Sequence, residues 1–151
     1  MRDQAVKDKI MAAAWGQSHL GEASVDVVVC GKLTAYDDAE EIYSSAPPEV
    51  GQKMVPMIGG LYSTNDGLQR DEAIRSASLA AMTLMLLAQD MGYATCPMIG
   101  FDHDAVAKLV NLPADHAIGP MVAIGKKTKD SWPKPGQLPL SELVIENQWS
   151  L

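Results

Sequence analysis

The stretch DEAIRSASLAAMTLMLLAQDMGYATCPMIG, residues 71–100, decides the fold of this chain of 151 residues. Asp71 is a good residue to begin a helix, and Gly92 is a typical residue to end one. The helix between them is apolar on nearly every side, which predicts the central buried helix of the domain. Its small residues predict close approach by another helix, and they are Ala73, Ala77, Ala80 and Ala81.

Strands and helices alternate on both sides of this helix. The β-branched segment VDVVVC predicts a strand buried on both faces, and YATCPM and AIGPMVAIG predict two more strands. A last strand is predicted at residues 143–146. Helices are predicted from Asp3 to about Trp15 and over residues 18–23, 37–45, 47–60 and 103–112, with a loop at 63–67. Strands separated by helices predict one α/β or α+β domain with a covered sheet.

Composition excludes several classes of protein. The net charge of −7 argues against nucleic-acid binding and against binding to anionic membranes. The apolar run at 79–88 is too short to cross a bilayer, and the charged first residues do not form a signal peptide. With Cys30 and Cys96 far apart in sequence, we expect a cytoplasmic protein with reduced thiols.

Most motifs of catalysis are incomplete. The segment GPMVAIGKK at 119–127 has the wrong spacing for a phosphate-binding P-loop, and no GxGxxG follows a strand. The three histidines lack the spacing of a metal site, so we predict no metal. Cys96 is either an inert core thiol or the nucleophile of a cysteine-dependent hydrolase.

Two features remain as candidate binding sites. The segment 125–134, GKKTKDSWPK, holds four of the twelve Lys and Arg residues, and it is either a solvated loop or a phosphate site. The turn from Pro97 to Gly100 joins a strand to a helix with two large apolar residues, Met98 and Ile99. It is either a buried turn or an apolar floor with backbone donors for a flat ligand.

These segments together resemble the flavin-dependent nitroreductase family. The resemblance covers almost the whole chain in order, including AAAWGQSHLGEASVDVVVCGK, the region from residue 69 to 116, and the PGQLPL segment at 135–140. It implies an α+β, nitroreductase-like three-layer sandwich with a central mixed or antiparallel sheet covered by helices. It also implies an intertwined homodimer that binds FMN at the interface of the two subunits.

The resemblance implies binding roles for particular residues and no catalytic side chain. Pro97, Met98, Ile99 and Gly100 would lie against the flavin ring, with the N–H of Ile99 facing N5 and that of Gly100 facing O4. A second group would approach the FMN phosphate, and it comprises Lys126, Lys134, Pro135 and Gly136. The helix from Asp71 would form the dimer interface, and a C-terminal extension, residues 137–151, would reach the partner subunit.

The implied activity is hydride transfer from NAD(P)H through FMN to a small-molecule acceptor such as a nitroaromatic or a quinone. Family members normally begin with an RRS-type motif and an N-x-Q-x-W-type segment. This sequence begins after those pieces, so we expect a partial domain, 1–151, truncated at the N-terminus. The alternative is a non-catalytic, dimerising remnant that no longer binds FMN.

Overall fold

The computed structural model describes residues 1–149. Its helices and strands run, in chain order, α1 Gln4–Ala13, α2 Ser18–Glu22, β1 Val25–Lys32, α3 Ala39–Ile42, α4 Pro48–Tyr62, α5 Asp66–Asp90, β2 Ala94–Met98, α6 His103–Leu109, β3 His116–Gly125 and α7 Leu140–Leu143. Two short 3-10 segments, Ala35–Asp38 and Tyr43–Ser45, flank α3. The order of elements confirms the α+β class predicted from the sequence.

The three strands form one antiparallel sheet in the order β1–β3–β2. The central strand β3 pairs with β1 from Val25 opposite Ile124 to Lys32 opposite His116, with a register shift between Val28 and Cys30. Strand β2 forms the other edge. Because β3 has a partner on both sides, its residues from Met121 to Ile124 are the most buried part of the sheet.

Helices cover both faces of the sheet, so the domain has three layers. On one face, α1, α2 and α6 supply Ile10, Leu20 and Val106, which pack with Met121 of β3. On the other face, α5 packs against Val122 and Ile124. Successive residues of β3 thus serve opposite cores, as the two-residue period of a strand requires. The predicted sandwich is confirmed, although β1 is half-buried along most of its length.

The small residues of α5 contact the sheet. Its buried residues all are alanines, namely Ala73, Ala77, Ala81 and Ala88. A Cβ atom added to Gly31 would lie 2.2 Å from the carbonyl oxygen of Ala73, and one added to Gly119 would lie 2.8 Å from the Cβ of Ala77. The prediction that another helix approaches is therefore wrong for Ala73 and Ala77, because Gly31 of β1 and Gly119 of β3 approach them instead. Ala80 is exposed.

The outer face of α5 is apolar and exposed. Its large side chains there include Leu79, which is 71% exposed, together with Met82, Leu86 and Leu87, and the exposed Met91 follows the last residue of the helix. The prediction of a helix buried all round is wrong for a single chain, because the sheet covers only one side of it. The helix also begins at Asp66 and not at Asp71, because the Asn65 side chain accepts from the N–H of Leu68 at 3.0 Å and caps it earlier.

Two other segments differ from the sequence prediction. The strand predicted at residues 143–146 is wrong, because Leu143 is the last residue of the short helix α7 and residues 144–146 are not in a strand. The helix α4 is a single helix of 15 residues that includes Pro56. Among residues 1–149, no helix combines the length and apolar character that crossing a bilayer requires.

Asp26 is a buried carboxylate in β1, with 0% of its surface exposed and no hydrogen-bond partner for either oxygen among the described residues. The nearby ammonium of Lys7 is also buried, and it donates to the carbonyls of Gly21 and Ala23 at 3.1 and 2.6 Å. Burial raises the pKa of Asp26 to about 6, although the positive charge of Lys7 opposes the rise.

We predict that Asp26 makes the folded protein less stable as the pH rises. A carboxylate whose pKa is raised by folding keeps its proton in the folded state between pH 4 and 6, so stability falls across that window and then levels off. The loss amounts to roughly 3 kcal/mol. Denaturant unfolding at pH 4 and pH 8 should show this drop in the native chain and a much smaller one in Asp26→Asn.

The control for this prediction is Asp8→Asn, which changes an exposed carboxylate on α1. It should keep the pH dependence of the native chain. Equal pH dependence in the native chain and in Asp26→Asn would contradict the assignment to Asp26.

Candidate functional site

The turn from Met98 to Asp102 lies between the end of β2 and the start of α6. Asp102 caps α6 by accepting from the N–H of Ala105 at 2.9 Å. The side chain of Met98 packs against the core beside Met121, whereas that of Ile99 is 72% exposed. The turn therefore exposes one large apolar side chain, that of Ile99, while the side chain of Met98 packs into the core.

The backbone of this turn offers two hydrogen-bond donors. The carbonyl oxygen of Ile99 accepts from the N–H of Phe101 at 3.1 Å and contacts Nε2 of His103 at 3.3 Å. Among the hydrogen bonds of the described residues, the N–H groups of Ile99 and Gly100 have no acceptor. The Ile99 carbonyl and the Gly100 N–H belong to the same trans peptide and point in opposite directions. The Gly100 N–H therefore points away from Phe101 and His103, which contact the Ile99 carbonyl oxygen.

The C-terminal end of α1 holds the other side of the turn. The side-chain Nε2 of Gln17 donates to the carbonyl oxygen of Gly100 at 2.9 Å, and the N–H of Asp102 donates to the carbonyl of Ala13 at 2.9 Å. Trp15 has a positive φ of 54°, is 72% exposed, and places Cζ3 3.6 Å from the position of a Cβ on Gly100. These contacts join two segments that are 83 residues apart.

The sequence analysis did not identify Trp15, Gln17 or His103 as site residues. The Trp–Gly pair after an apolar helix does signal a left-handed helix end, as Gly16 with φ 78° shows. Nothing in the local sequence indicates that this end meets the turn at Gly100, because the contact depends on tertiary packing.

Lys126 lies at the opposite end of β2 from the turn. Gly125 pairs with Ala94, the first residue of β2, whereas the turn follows its last residue, Met98. The four steps from Ala94 to Met98 separate the two ends of the strand by about 13 Å. The ammonium of Lys126 stacks over the ring of Tyr93 at 4.7 Å from its centroid. The structure thus does not bring the turn and this lysine into contact.

A groove runs beside β2 at the lysine end. It has a volume of about 180 Å³, and its ionisable lining residues are His19, Glu22, Cys96, Lys126 and Lys129. Two positive charges and one carboxylate therefore face the groove. Cys96 and Met98 are two residues apart on one strand, so their side chains share the face of the sheet that carries the core of α1.

Lys134, Pro135 and Gly136 lie in an exposed, extended segment after β3. They have no recorded hydrogen bond within the part of the chain that the structure describes. Their approach to an FMN phosphate stays a prediction. Lys127, in the same basic segment, forms an exposed ion pair with Asp130 at 2.8 Å.

Cys96 is exposed on the edge strand β2, so its interpretation as a core thiol is wrong for a single chain. His19 lines the same groove, and its Nε2 is buried without a partner among the described residues. No recorded hydrogen bond within residues 1–149 joins this imidazole to a carboxylate, so the arrangement lacks the oriented base that a cysteine nucleophile needs. The other thiol, Cys30, is half-buried, and burial raises its pKa.

A separate cavity of about 300 Å³ lies beside the last residues of β1, Gly31 and Lys32, between α4 and α5. Tyr36 and Tyr62 line it with nearly parallel rings whose centroids are 6.4 Å apart. At its rim, Lys32 bonds Asp38 at 2.6 Å, and this hydrogen bond raises the pKa of Lys32. This cavity shares no lining residue with the turn at Met98–Asp102.

Comparison with known proteins identifies the fold and the family. The model of the nitroreductase family matches residues 2–126. Protein DrgA of Synechocystis sp. is 43% identical over 158 aligned positions, which cover all of this chain and 75% of DrgA. MhqN of Bacillus subtilis, provisionally named an NAD(P)H nitroreductase, is 36% identical, and the match covers 94% of this chain and 73% of MhqN.

Solved structures agree with this result. The crystal structure of ydfN from Bacillus subtilis, a provisionally assigned nitroreductase, superposes with a TM-score of 0.90 at 37% identity, covering 96% of this chain and 74% of that one. A provisionally assigned nitroreductase from Exiguobacterium sibiricum, solved in complex with FMN, superposes with a TM-score of 0.86 at 27% identity, covering 95% and 72%. The chain therefore belongs to the nitroreductase family and is an oxidoreductase of that family.

Proposed function

We propose that this chain binds FMN against the turn at Met98–Gly100 and transfers hydride from NAD(P)H to a small-molecule acceptor. The observation that carries the proposal is the pair of adjacent N–H donors, of Ile99 and Gly100, that have no acceptor among the described residues and lie on an exposed turn. The FMN complex of the related protein from Exiguobacterium sibiricum supports the choice of ligand.

The chemistry of the turn fits one edge of a flavin ring. That edge carries the acceptors N5 and O4, and the N–H groups of Ile99 and Gly100 are the two neighbouring donors that would bond them. The exposed side chain of Ile99 gives the flat ring an apolar neighbour. We assign N5 to the N–H of Ile99 and O4 to that of Gly100.

The lysines fit the other end of the same ligand. A molecule that contacts both ends of β2 has to span about 13 Å, with a flat apolar part at the turn and an anion beside Lys126. A flavin mononucleotide has this shape. Lys126 and Lys129 line the groove beside β2. Lys134, Pro135 and Gly136 continue the same basic segment, and we propose that they complete the phosphate site with Lys126.

The protein's part in the reaction is binding and orientation. FMN supplies the two-electron chemistry when it is bound. The N–H dipoles of Ile99 and Gly100 hold the ring in one orientation and stabilise negative charge on its N5–O4 edge. The acceptor takes up one proton together with each hydride, and because solvent can supply that proton we assign no side chain as an acid or a base. Nitroaromatics and quinones are the acceptor class we propose, with NADH or NADPH as donor.

The exposed face of α5 supports a homodimer. Four large apolar side chains lie on this face, and soluble monomers rarely expose large apolar patches. We propose that a second copy of the chain covers it. We also propose that the C-terminal extension, residues 137–151, contacts the partner subunit. Its residues 150 and 151 lie outside the described part of the chain. A cytoplasmic location belongs to the same proposal.

The decisive experiment is titration of the purified chain with FMN, followed by an NADH oxidation assay with a quinone. The proposal predicts a yellow, stoichiometric complex and acceptor-dependent oxidation of NADH or NADPH. A protein that stays colourless after FMN is added would refute it. A dimer that binds no FMN and oxidises no NADH would instead support the non-catalytic remnant.

We predict that Lys134→Glu weakens FMN binding about tenfold or more and leaves riboflavin binding nearly unchanged. Riboflavin lacks the phosphate, and loss of a charge-assisted contact affects only the ligand that carries the anion. Dissociation constants from flavin fluorescence measure both effects. Lys9→Glu makes the same charge change on exposed α1 and serves as the control. Equal weakening for the two flavins would argue against a phosphate contact.

We predict that Leu86→Glu on the outer face of α5 converts the dimer to a monomer. Burying an ionised carboxylate between two apolar helix faces costs several kcal/mol unless it finds a partner. Light scattering after size exclusion measures the mass. The native chain and Lys9→Glu should both elute as dimers of about twice 16.2 kDa. A native chain of monomeric mass at micromolar concentration would be incompatible with the proposed interface.

A further inference from the structure

We propose that Gln17 is a positioning residue for the turn at Met98–Asp102, and that its amide sets the direction of the Gly100 N–H donor. The inference rests on the proposed FMN site, which it deepens. Its carrying observation is the hydrogen bond from Nε2 of Gln17 to the carbonyl oxygen of Gly100, 2.9 Å long, partly buried and between segments 83 residues apart.

The Gly100 N–H lies in the peptide plane between Ile99 and Gly100, together with the Ile99 carbonyl. The plane before Gly100 is held through the Ile99 carbonyl, which accepts from the N–H of Phe101 and contacts Nε2 of His103. The plane after Gly100 contains the Phe101 N–H and is held through the Gly100 carbonyl by Gln17, so Gln17 acts on the Gly100 N–H through the bond from Phe101 to Ile99. Glycine has the widest choice of φ and ψ of any residue, so both planes have to be held from outside.

The hydrogen bond from Gln17 to the Gly100 carbonyl is shorter and more buried than the contact of His103 with the Ile99 carbonyl. The His103 contact is longer, at 3.3 Å, and exposed to water. Because a carbonyl only accepts, this contact also requires a proton on Nε2 of His103. Gln17 donates from an amide at 2.9 Å, and its backbone is fixed by a hydrogen bond from its N–H to the carbonyl of Ala14.

The helix end that carries Gln17 adopts a backbone conformation that needs support. Trp15 has φ 54° and Gly16 has φ 78°, and the N–H of Gly16 bonds the carbonyl of Met11 at 2.9 Å. A large aromatic residue rarely takes a positive φ. In this conformation the chain reverses after α1, which brings the Gln17 amide and the Trp15 ring against Gly100. The positive φ angles of Trp15 and Gly16 thus make the contact between the end of α1 and the turn possible.

Three readouts test the positioning role in Gln17→Leu and Gln17→Glu, neither of which can donate. Amide hydrogen exchange of Phe101 and Asp102, whose N–H groups donate to Ile99 and Ala13, should become about tenfold faster in the flavin-free chain. The dissociation constant for riboflavin should rise about tenfold, as expected for loss of one net hydrogen bond. The two-electron reduction potential of bound FMN should become more negative, because a misaligned donor stabilises the reduced ring less.

The matched controls are Gln4→Leu and Gln4→Glu, which remove hydrogen bonds from Gln4 to Asp8 and Gly21 at the other end of α1. They should leave all three readouts at native values. If the Gln17 variants fold and match the Gln4 variants in exchange, affinity and potential, the proposal is overturned. If the native chain binds no flavin but only the Gln17 variants exchange faster at Phe101 and Asp102, the proposed function fails while the positioning of the turn by Gln17 stands.

Discussion

The close contact between α5 and the sheet is the constraint on which the rest of the structure depends. Gly31 and Gly119 leave no room for a Cβ atom against Ala73 and Ala77, so the helix axis lies as near to β1 and β3 as two backbones allow. Small residues on both sides are the condition for this contact. Because the alanines use the inner side of α5, four of its large side chains point outward, those of Leu79, Met82, Leu86 and Leu87. The exposed apolar face is thus a direct consequence of how the helix packs.

The candidate site belongs to the opposite layer. There the side chains are large, and Ile10, Leu20 and Val106 fill the space between α1, α2 and α6 and the sheet. Their packing brings the end of α1 to the end of β2. There the carbonyl of Ala13 accepts from the N–H of Asp102, and the side chain of Gln17 donates to the carbonyl of Gly100. The antiparallel register then sends the chain after β3 to the other end of β2. Strand length therefore fixes the separation between the two halves of the proposed ligand site.

Much of this architecture is visible in the sequence. The β-branched run at β1, the capping residues Asp3 and Asp102, and Gly92 after α5 each predict an element by a local physical cause. The errors have a different origin. The burial of α5 depends on what covers it, and the segment at 143–146 has an apolar pattern but no strand beside it to pair with. The bond from Gln17 to Gly100 joins residues that no local pattern connects.

Recognition by backbone donors explains why the turn carries so little chemical information of its own. An N–H group is the same in every residue except proline, so Met98 and Ile99 have to satisfy only packing and exposure. The specificity of such a site lies in the direction of its donors, and that direction is set by the groups that hold the carbonyls of Ile99 and Gly100. In the site that we propose, Gln17 acts on binding through the turn, although it is far away in sequence and does not contact the ligand itself. A search for flavin ligands among side chains alone would miss them.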